Sequence, residues 1–214
     1  MKELIIIGAG GFGREVLEIA LDIQEQGLQN QWRIKGFITD IPGDFSKKDT
    51  LGYEIIDSIS NHKISKNAVY AFAIADIPFK IKTTERFIRE DAEFINLIHP
   101  TAVLGRTVKM GNGNIISPRV TITANVNLGN FIRIGGGTSI GHDVQIGDYS
   151  TISGTCGING YAELGQGVFL GSHAVVCPHA KVGAYASVGA GAVVLRRVKP
   201  NTCVFGNPAR RMDF

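Results

Sequence analysis

Gly141-His142-Asp143 has the residue types that proton transfer needs. A neutral imidazole accepts a proton from an attacking amine or hydroxyl near neutral pH. An adjacent carboxylate raises the basicity of the ring and fixes its tautomer. The same tripeptide also reads as a surface histidine beside a solvated aspartate, so its surroundings must decide. A second candidate opens the chain, where Gly8, Gly10 and Gly13 follow the spacing G-x-G-x-x-G. Such a turn lets backbone N–H groups approach a phosphate at a helix N-terminus. It also serves as a tight turn that only packs strand on helix. Asp40 lies twenty-seven residues past Gly13, a loose match to the acidic residue of a dinucleotide site. His173 and His179 are six apart and far from His142 in sequence. That is not the spacing of a three-histidine zinc site, and no metal is expected.

The element that must position His142 is a repeat. From Ile98 to Val194, every sixth residue is aliphatic or Met, seventeen positions in register. Neither a helical period nor strand alternation selects every sixth residue, whereas a hexapeptide repeat reads as a parallel β-helix. A smaller residue follows each aliphatic by four, as in Val108, Val126, Val144, Ala162 and Ala180. Two inward positions per six residues fit a short strand and a tight turn. Three such units close a triangular coil of eighteen residues, stacked at the ordinary strand spacing of about 4.8 Å. Eighteen of the twenty-seven glycines fall in this stretch, as its many corners require. His142 and Asp143 then lie at a corner, between inward Ile140 and Val144. One coil further on, Gly160 leaves bare backbone beside the ring, with space for a narrow ligand arm. A filled prism has no interior cavity, so chemistry must sit on its outside. Two columns of small residues, one through Gly135, Ser153, Gly171 and Gly189 and the other ending at Ala190, trace an edge towards a basic tail. An extended ligand laid there would bring phosphates near Arg196, Arg197, Lys199, Arg210 or Arg211.

Residues 1–97 read as a small, mostly parallel βαβ domain. Strands are expected at Lys2–Ile7, Trp32–Thr39, Tyr53–Ile56, Val69–Ala75 and Phe94–Ile98. Helices are expected after Gly13 and near Phe79–Arg89, with a loop at Pro42–Thr50. At about ninety-five residues it is short for a complete dinucleotide fold, which favours a nucleotide sugar over NAD. The expected division is 1–97, 98–194 and a closing segment, 195–214. A net charge of +3 is too mild to argue for nucleic acid. The apolar run Leu4–Ile7 is too short for a signal segment or a membrane span. Cys156, Cys177 and Cys203 have no metal spacing, and their odd number argues against a disulfide framework. A cytoplasmic location is therefore expected. Ile98–Val194 carries only eight charged residues, against twenty-seven in 1–97. So plain a coil is expected to bury faces against other copies of itself.

The hexapeptide run and the closing Gly206-Asn207-Pro208-Ala209-Arg210 resemble the left-handed β-helix acyltransferases. With the Gly8–Val16 opening and the βαβ domain, the whole chain resembles the sialic-acid O-acetyltransferase-like family, which includes N-acetyltransferases acting on UDP-4-amino sugars. The resemblance implies a partial Rossmann-like domain followed by a left-handed parallel β-helix, a homotrimer, and direct acetyl transfer from acetyl-CoA. It implies His142 as general base and Asp143 as the acid that enhances it, where relatives often carry Glu. Acetyl-CoA contacts fall on Thr151, Gly160 and Ala190, with Gly171 on the same small-residue edge. Nucleotide-sugar contacts fall on Gly10, Gly11, Phe12, Thr39 and Asp40. Phe12 and Thr151 stand where relatives commonly carry His. The alternatives are an O-acetyltransferase acting on a sialic acid or related sugar, a metal-dependent enzyme of the γ-carbonic-anhydrase type, and a non-catalytic sugar-nucleotide binder. Lipid acyltransferases fed by acyl carrier protein share the coil but carry a helical C-terminal extension, so the chain is expected not to be one.

Overall fold

The computed structural model describes residues 1–27, 31–41 and 50–212. The chain forms two compact units, Met1–Pro100 and Thr101–Phe214. In the first, β1 (Lys2–Ile7), α1 (Gly11–Glu25), β2 (Trp32–Ile38), β3 (Ile55–Asp57), β4 (Ala68–Phe72) and α2 (Ile77–Arg89) follow in order. The four strands form a parallel sheet in the order β3-β2-β1-β4. β1 has neighbours on both sides, and Leu4 to Ile7 are buried, as an unbroken apolar run predicts for an inner parallel strand. α1 turns Val16, Leu17, Ile19, Ala20 and Ile23 inward at helical spacing. α2 starts where the Asp76 carboxylate accepts the Phe79 N–H at 2.7 Å, with Pro78 in its first turn.

The expected strand at Phe94–Ile98 is broken in the structure. Phe94 makes a single bridge to Tyr70, and only Leu97–Ile98 is extended as a strand. Buried His99 ends this unit, its Nε2 2.7 Å from the Asp22 carboxylate. Most of the expected loop Pro42–Thr50 lies outside the described residues. No described helix is long and apolar enough to cross a membrane.

The second unit is the hexapeptide coil. From Val103 to Val194 each strand is two residues long and pairs in parallel with the strand eighteen residues away, while the last two parallel pairings, Lys181 with Arg197 and Ser187 with Cys203, step by sixteen. Face 1 runs from Val103–Leu104 to Val193–Val194, and face 2 from Lys109–Met110 to Arg197–Val198. Face 3 includes Ile115–Ile116, Arg133–Ile134, Thr151–Ile152, Phe169–Leu170 and Ser187–Val188. The column Ile122, Ile140, Ile158, Val176 and Val194 is buried throughout, stacking the face 1 aliphatics along the axis. Asn114, Thr138 and Ser150 are buried too, and each bonds backbone of an adjacent coil. Thus no polar side chain among these three is left unsatisfied inside the prism. At the end of the coil, Cys203–Phe205 extends face 3 and pairs antiparallel with Arg210–Arg211.

The corners explain which residues the coil can carry. Asn125, Asp143, Tyr161 and His179 recur every eighteen residues at the corner between faces 1 and 2, with φ of 59°, 60°, 61° and 60°. This left-handed conformation is costly for most side chains and least so for Asn, Asp and His. Asp143 therefore suits its corner conformationally as well as chemically, while Tyr161 is the unusual member of the column.

Candidate active site

The corner between faces 1 and 2 presents His142 to solvent, its side chain 56% exposed. Its Nδ1 lies 2.9 Å from Asp143 Oδ2. A carboxylate only accepts, so Nδ1 carries the hydrogen and Nε2 holds the free lone pair. No described residue bonds Nε2. The imidazole bond, outweighing the opposing effect of burial, holds the Asp143 carboxyl below its ordinary value, aided by the Asn125 amide and the Tyr161 hydroxyl. Asn125 Nδ2 donates to Asp143 Oδ1 at 3.3 Å. The ring also packs nearly perpendicular to the Tyr161 ring, at 5.0 Å between centroids, and Tyr161 stacks on His179 at 4.8 Å. His142 is thus held by two contacts, a carboxylate and an aromatic ring.

Gly160 completes this corner. A Cβ there would sit 2.7 Å from His142 Cε1 and 2.8 Å from Nε2. The ring therefore occupies the space that a side chain would take. Gly171 and Ala190 lie elsewhere, at the corner between faces 3 and 1. Face 1 joins the two corners, and its outward positions Ser139, Gly157, Val175 and Val193 are small and uncharged. Thr151 is on face 3, 2% exposed, and the structure does not bring it to the His142 corner. His173 and His179 are at different corners, and His173 instead meets Thr155 Oγ1 at 3.1 Å. Beyond Val194 the corner of His142 continues into Leu195 and Arg196. Here a cavity of ≈ 530 Å³ is lined by Arg196, Arg197, Lys199, Arg210 and Arg211 among others.

In the first unit, the expected substrate residues gather at the C-terminal ends of β1 and β2, the edge where parallel sheets take ligands. The glycines there divide into two kinds. Gly8 has φ +103°, and a Cβ on it would be 2.9 Å from the Ala73 carbonyl oxygen. A Cβ on Gly13 would be 2.2 Å from the Gly8 oxygen. Packing requires both glycines. A Cβ on Gly10 meets nothing within 4 Å, and one on Gly11 meets only the tip of Arg14. Gly10 is the N-cap of α1 and offers no side-chain cap to it. Phe12 sits half-buried in that turn.

Thr39 Oγ1 accepts the Ile41 N–H, and Asp40 accepts both the N–H and the hydroxyl of Ser60, at 2.9 and 2.7 Å. Thr39 and Asp40 line a cavity of ≈ 530 Å³ whose other wall is the segment Ile55–Asn61. Sequence reasoning missed that wall. Behind it, His62 bridges Asp57 and the buried Tyr70 hydroxyl at 3.0 Å each. The His62 bond, with that of the Ser58 N–H, holds the Asp57 carboxyl low. Also missed were Asn125 and Tyr161, although stepping eighteen residues either way from Asp143 finds both.

Comparison with known proteins follows the same two-part division. Residues 3–87 match the PglD N-terminal domain, and residues 161–196 match the bacterial transferase hexapeptide (six repeats). The chain is 32% identical over 123 residues to a GDP-perosamine N-acetyltransferase of Escherichia coli O157:H7, a match covering 57% of this chain. It spans about half, 54%, of that curated relative's length. Among solved structures, PerB from Caulobacter crescentus in complex with CoA and GDP-perosamine superposes with a TM-score of 0.87 at 24% identity, covering 100% of this chain and 98% of that one. WeeI from Acinetobacter baumannii AYE gives a TM-score of 0.85 at 26% identity, covering 99% and 100%. The two family matches thus fall on separate units, residues 3–87 within the first and residues 161–196 within the second.

Proposed function

We propose that the protein transfers an acetyl group from acetyl-CoA to the amine of a nucleotide-linked amino sugar, in the assembly of a bacterial surface glycan. The observation that carries this reading is His142 with Nδ1 anchored on Asp143, Nε2 free, and no side chain beside it at Gly160. The relative that acts on GDP-perosamine and the structural neighbour bound to CoA and GDP-perosamine support the choice of substrates. The acceptor amine attacks the thioester carbonyl, forming the C–N bond. Nε2 of His142 takes the proton the amine sheds. The C–S bond breaks and CoA leaves as thiolate, to be protonated in turn. Asp143 holds the ring and balances the imidazolium charge. No acyl-enzyme is required, because alignment of the two substrates with the base supplies the rate.

The uncharged face 1, bounded by His142 and Gly160 at one corner and by Gly171 and Ala190 at the other, suits the pantetheine arm. The basic cavity at Arg196 suits the phosphates at its far end. Arg196 is about three coils past His142 on the same corner, roughly 14 Å at ordinary strand spacing. Gly10, Gly11, Phe12, Thr39 and Asp40 would hold the nucleotide in the first unit. The scarcity of charge on the coil supports a homo-oligomer, for which we take the trimer, and the whole reading fits a cytoplasmic enzyme.

The test is free-thiol release from acetyl-CoA across a panel of GDP-, UDP- and dTDP-linked amino sugars, with hydroxyl acceptors, including sialic acids, as the O-transfer arm. His142→Ala is expected to lower kcat by about 10²–10⁴-fold, the usual worth of a general base, with the melting temperature unchanged. Full turnover by that variant removes the base from the mechanism.

A further inference from the structure

Two coils before His142, the same corner carries a cation. The step of eighteen residues runs Arg106, Ala124, His142, Gly160. Arg106 lines a separate cavity of ≈ 380 Å³ together with Thr107, Val108, Lys109, Asn125 and Asn127. The coil from Ile98 to Val194 has only five cationic side chains, and two of them, Arg106 and Lys109, are in this one cavity. Both are exposed, and neither forms an ion pair among the described residues. Asn125 connects the cavity to the site, because its amide donates to Asp143. Thr107 Oγ1 in turn accepts the Asn125 N–H at 2.8 Å, which fixes that corner. The His142–Asp143 pair therefore has a cation on both sides of it along this corner, Arg106 in one direction and Arg196 in the other.

A reaction between two anionic substrates needs such a division. If the donor's phosphates take the Arg196 end, the acceptor must approach from the other. We propose that Arg106 and Lys109 bind the anionic group of the acceptor, a sugar-linked phosphoryl or a sugar carboxylate, and so point its nucleophile at His142. This rests on the acetyltransferase reading above. Two coils place Arg106 about 10 Å from the level of His142. A pyranose ring carries its anomeric substituent and its 4-amino group on opposite sides, so one ring fits between the phosphoryl and the base. An Arg fork with a Lys point charge is suited to a phosphoryl or carboxylate group.

The experiment compares wild type with Arg106→Ala, Lys109→Ala and the double variant. All remove exposed side chains, and the melting temperature checks that the fold persists. In the double variant the KM for a nucleotide-diphospho amino sugar is expected to rise about tenfold or more, with the KM for acetyl-CoA unchanged. Added salt should raise the wild-type acceptor KM and hardly affect that of the variant. A free amino sugar without phosphate should be used equally by both. A carboxylated sugar whose KM responds in place of the nucleotide sugar identifies carboxylate as the source of the anion. An acceptor KM within about twofold of wild type overturns the assignment, as does a rise in the KM for acetyl-CoA alone. Should wild type turn over no acceptor, the parent reading fails, and binding of inorganic pyrophosphate, followed by ³¹P line broadening, still decides this one. Pyrophosphate binding lost in the double variant supports the site, and equal binding refutes it.

Discussion

Gly160→Ala separates the architecture of the corner from its chemistry. The added Cβ would stand 2.7 Å from His142 Cε1, whereas ordinary contact begins at 3.4 Å, so the ring must retreat by about 0.7 Å. The imidazole is a half-exposed side chain and can move, so the fold should lose less than about 1 kcal/mol. The reaction is less tolerant. Nε2 is the atom displaced, and misplacement on the scale of 1 Å costs roughly 10²-fold in rate, or about 2.7 kcal/mol of transition-state stabilisation. The expected result is a kcat/KM lower by about 10²-fold with a melting temperature within a few degrees of wild type. The assay pairs thiol release from acetyl-CoA with thermal unfolding. Near wild-type turnover would show that the present ring position is not the working one, and the argument from Gly160 would fall. A large loss of stability would show that the ring is packed far more firmly than its exposure indicates.

The other glycines give a paired expectation. Gly13→Ala sets a Cβ against backbone at 2.2 Å and should destabilise the first unit by about 1–3 kcal/mol in denaturant unfolding. Gly10→Ala meets open space and should leave stability nearly unchanged while raising the acceptor KM. Ile140→Ala, in the fully buried column, should cost about 2–5 kcal/mol by chemical denaturation. Asp57 has its carboxyl lowered in the folded state by His62, so its contribution is present above the unfolded value, about 3.9, and fades as pH falls through the lowered one. The melting temperatures of wild type and Asp57→Asn should therefore differ at neutral pH and converge in acid. Burial raises the Cys156 thiol, whose Sγ also donates to the Gly171 carbonyl at 3.2 Å. Iodoacetamide on the native protein, mapped by mass spectrometry, should label Cys177 and Cys203 and leave Cys156 intact.

Much of the coil is legible because its code has one rule. Every sixth residue from Ile98 is apolar, so face, column and corner follow by counting, and His142 lands at a corner on the same count. The first unit is less legible because its elements depend on pairing between distant segments. β3 (Ile55–Asp57) forms one wall of the cavity beside Asp40 only because it adds to β2 across a register shift. The break at Phe94 has a similar origin, since Tyr70 offers that segment a single bridge. The glycine loop shows another limit. G-x-G-x-x-G does not say which glycine serves packing and which faces open space, because that depends on atoms from Ala73 and on Gly8 itself. Thr151 shows how counting gives a face without giving exposure. Its place in the hexad is outward, yet it is 2% exposed.

From Val103 to Val194 the two-residue strands pair at a step of eighteen, so this part of the prism behaves as a ruler with rungs of about 4.8 Å. Excising eighteen residues between His142 and Arg196 would leave every remaining side chain on its own face and bring the basic end one rung nearer. Excising six would turn everything beyond the cut by a third of a revolution and send Arg196 round to another side. Evolution or an engineer can therefore alter the reach of such a protein in whole rungs, without redesigning any contact, by adding or removing complete coils and nothing smaller.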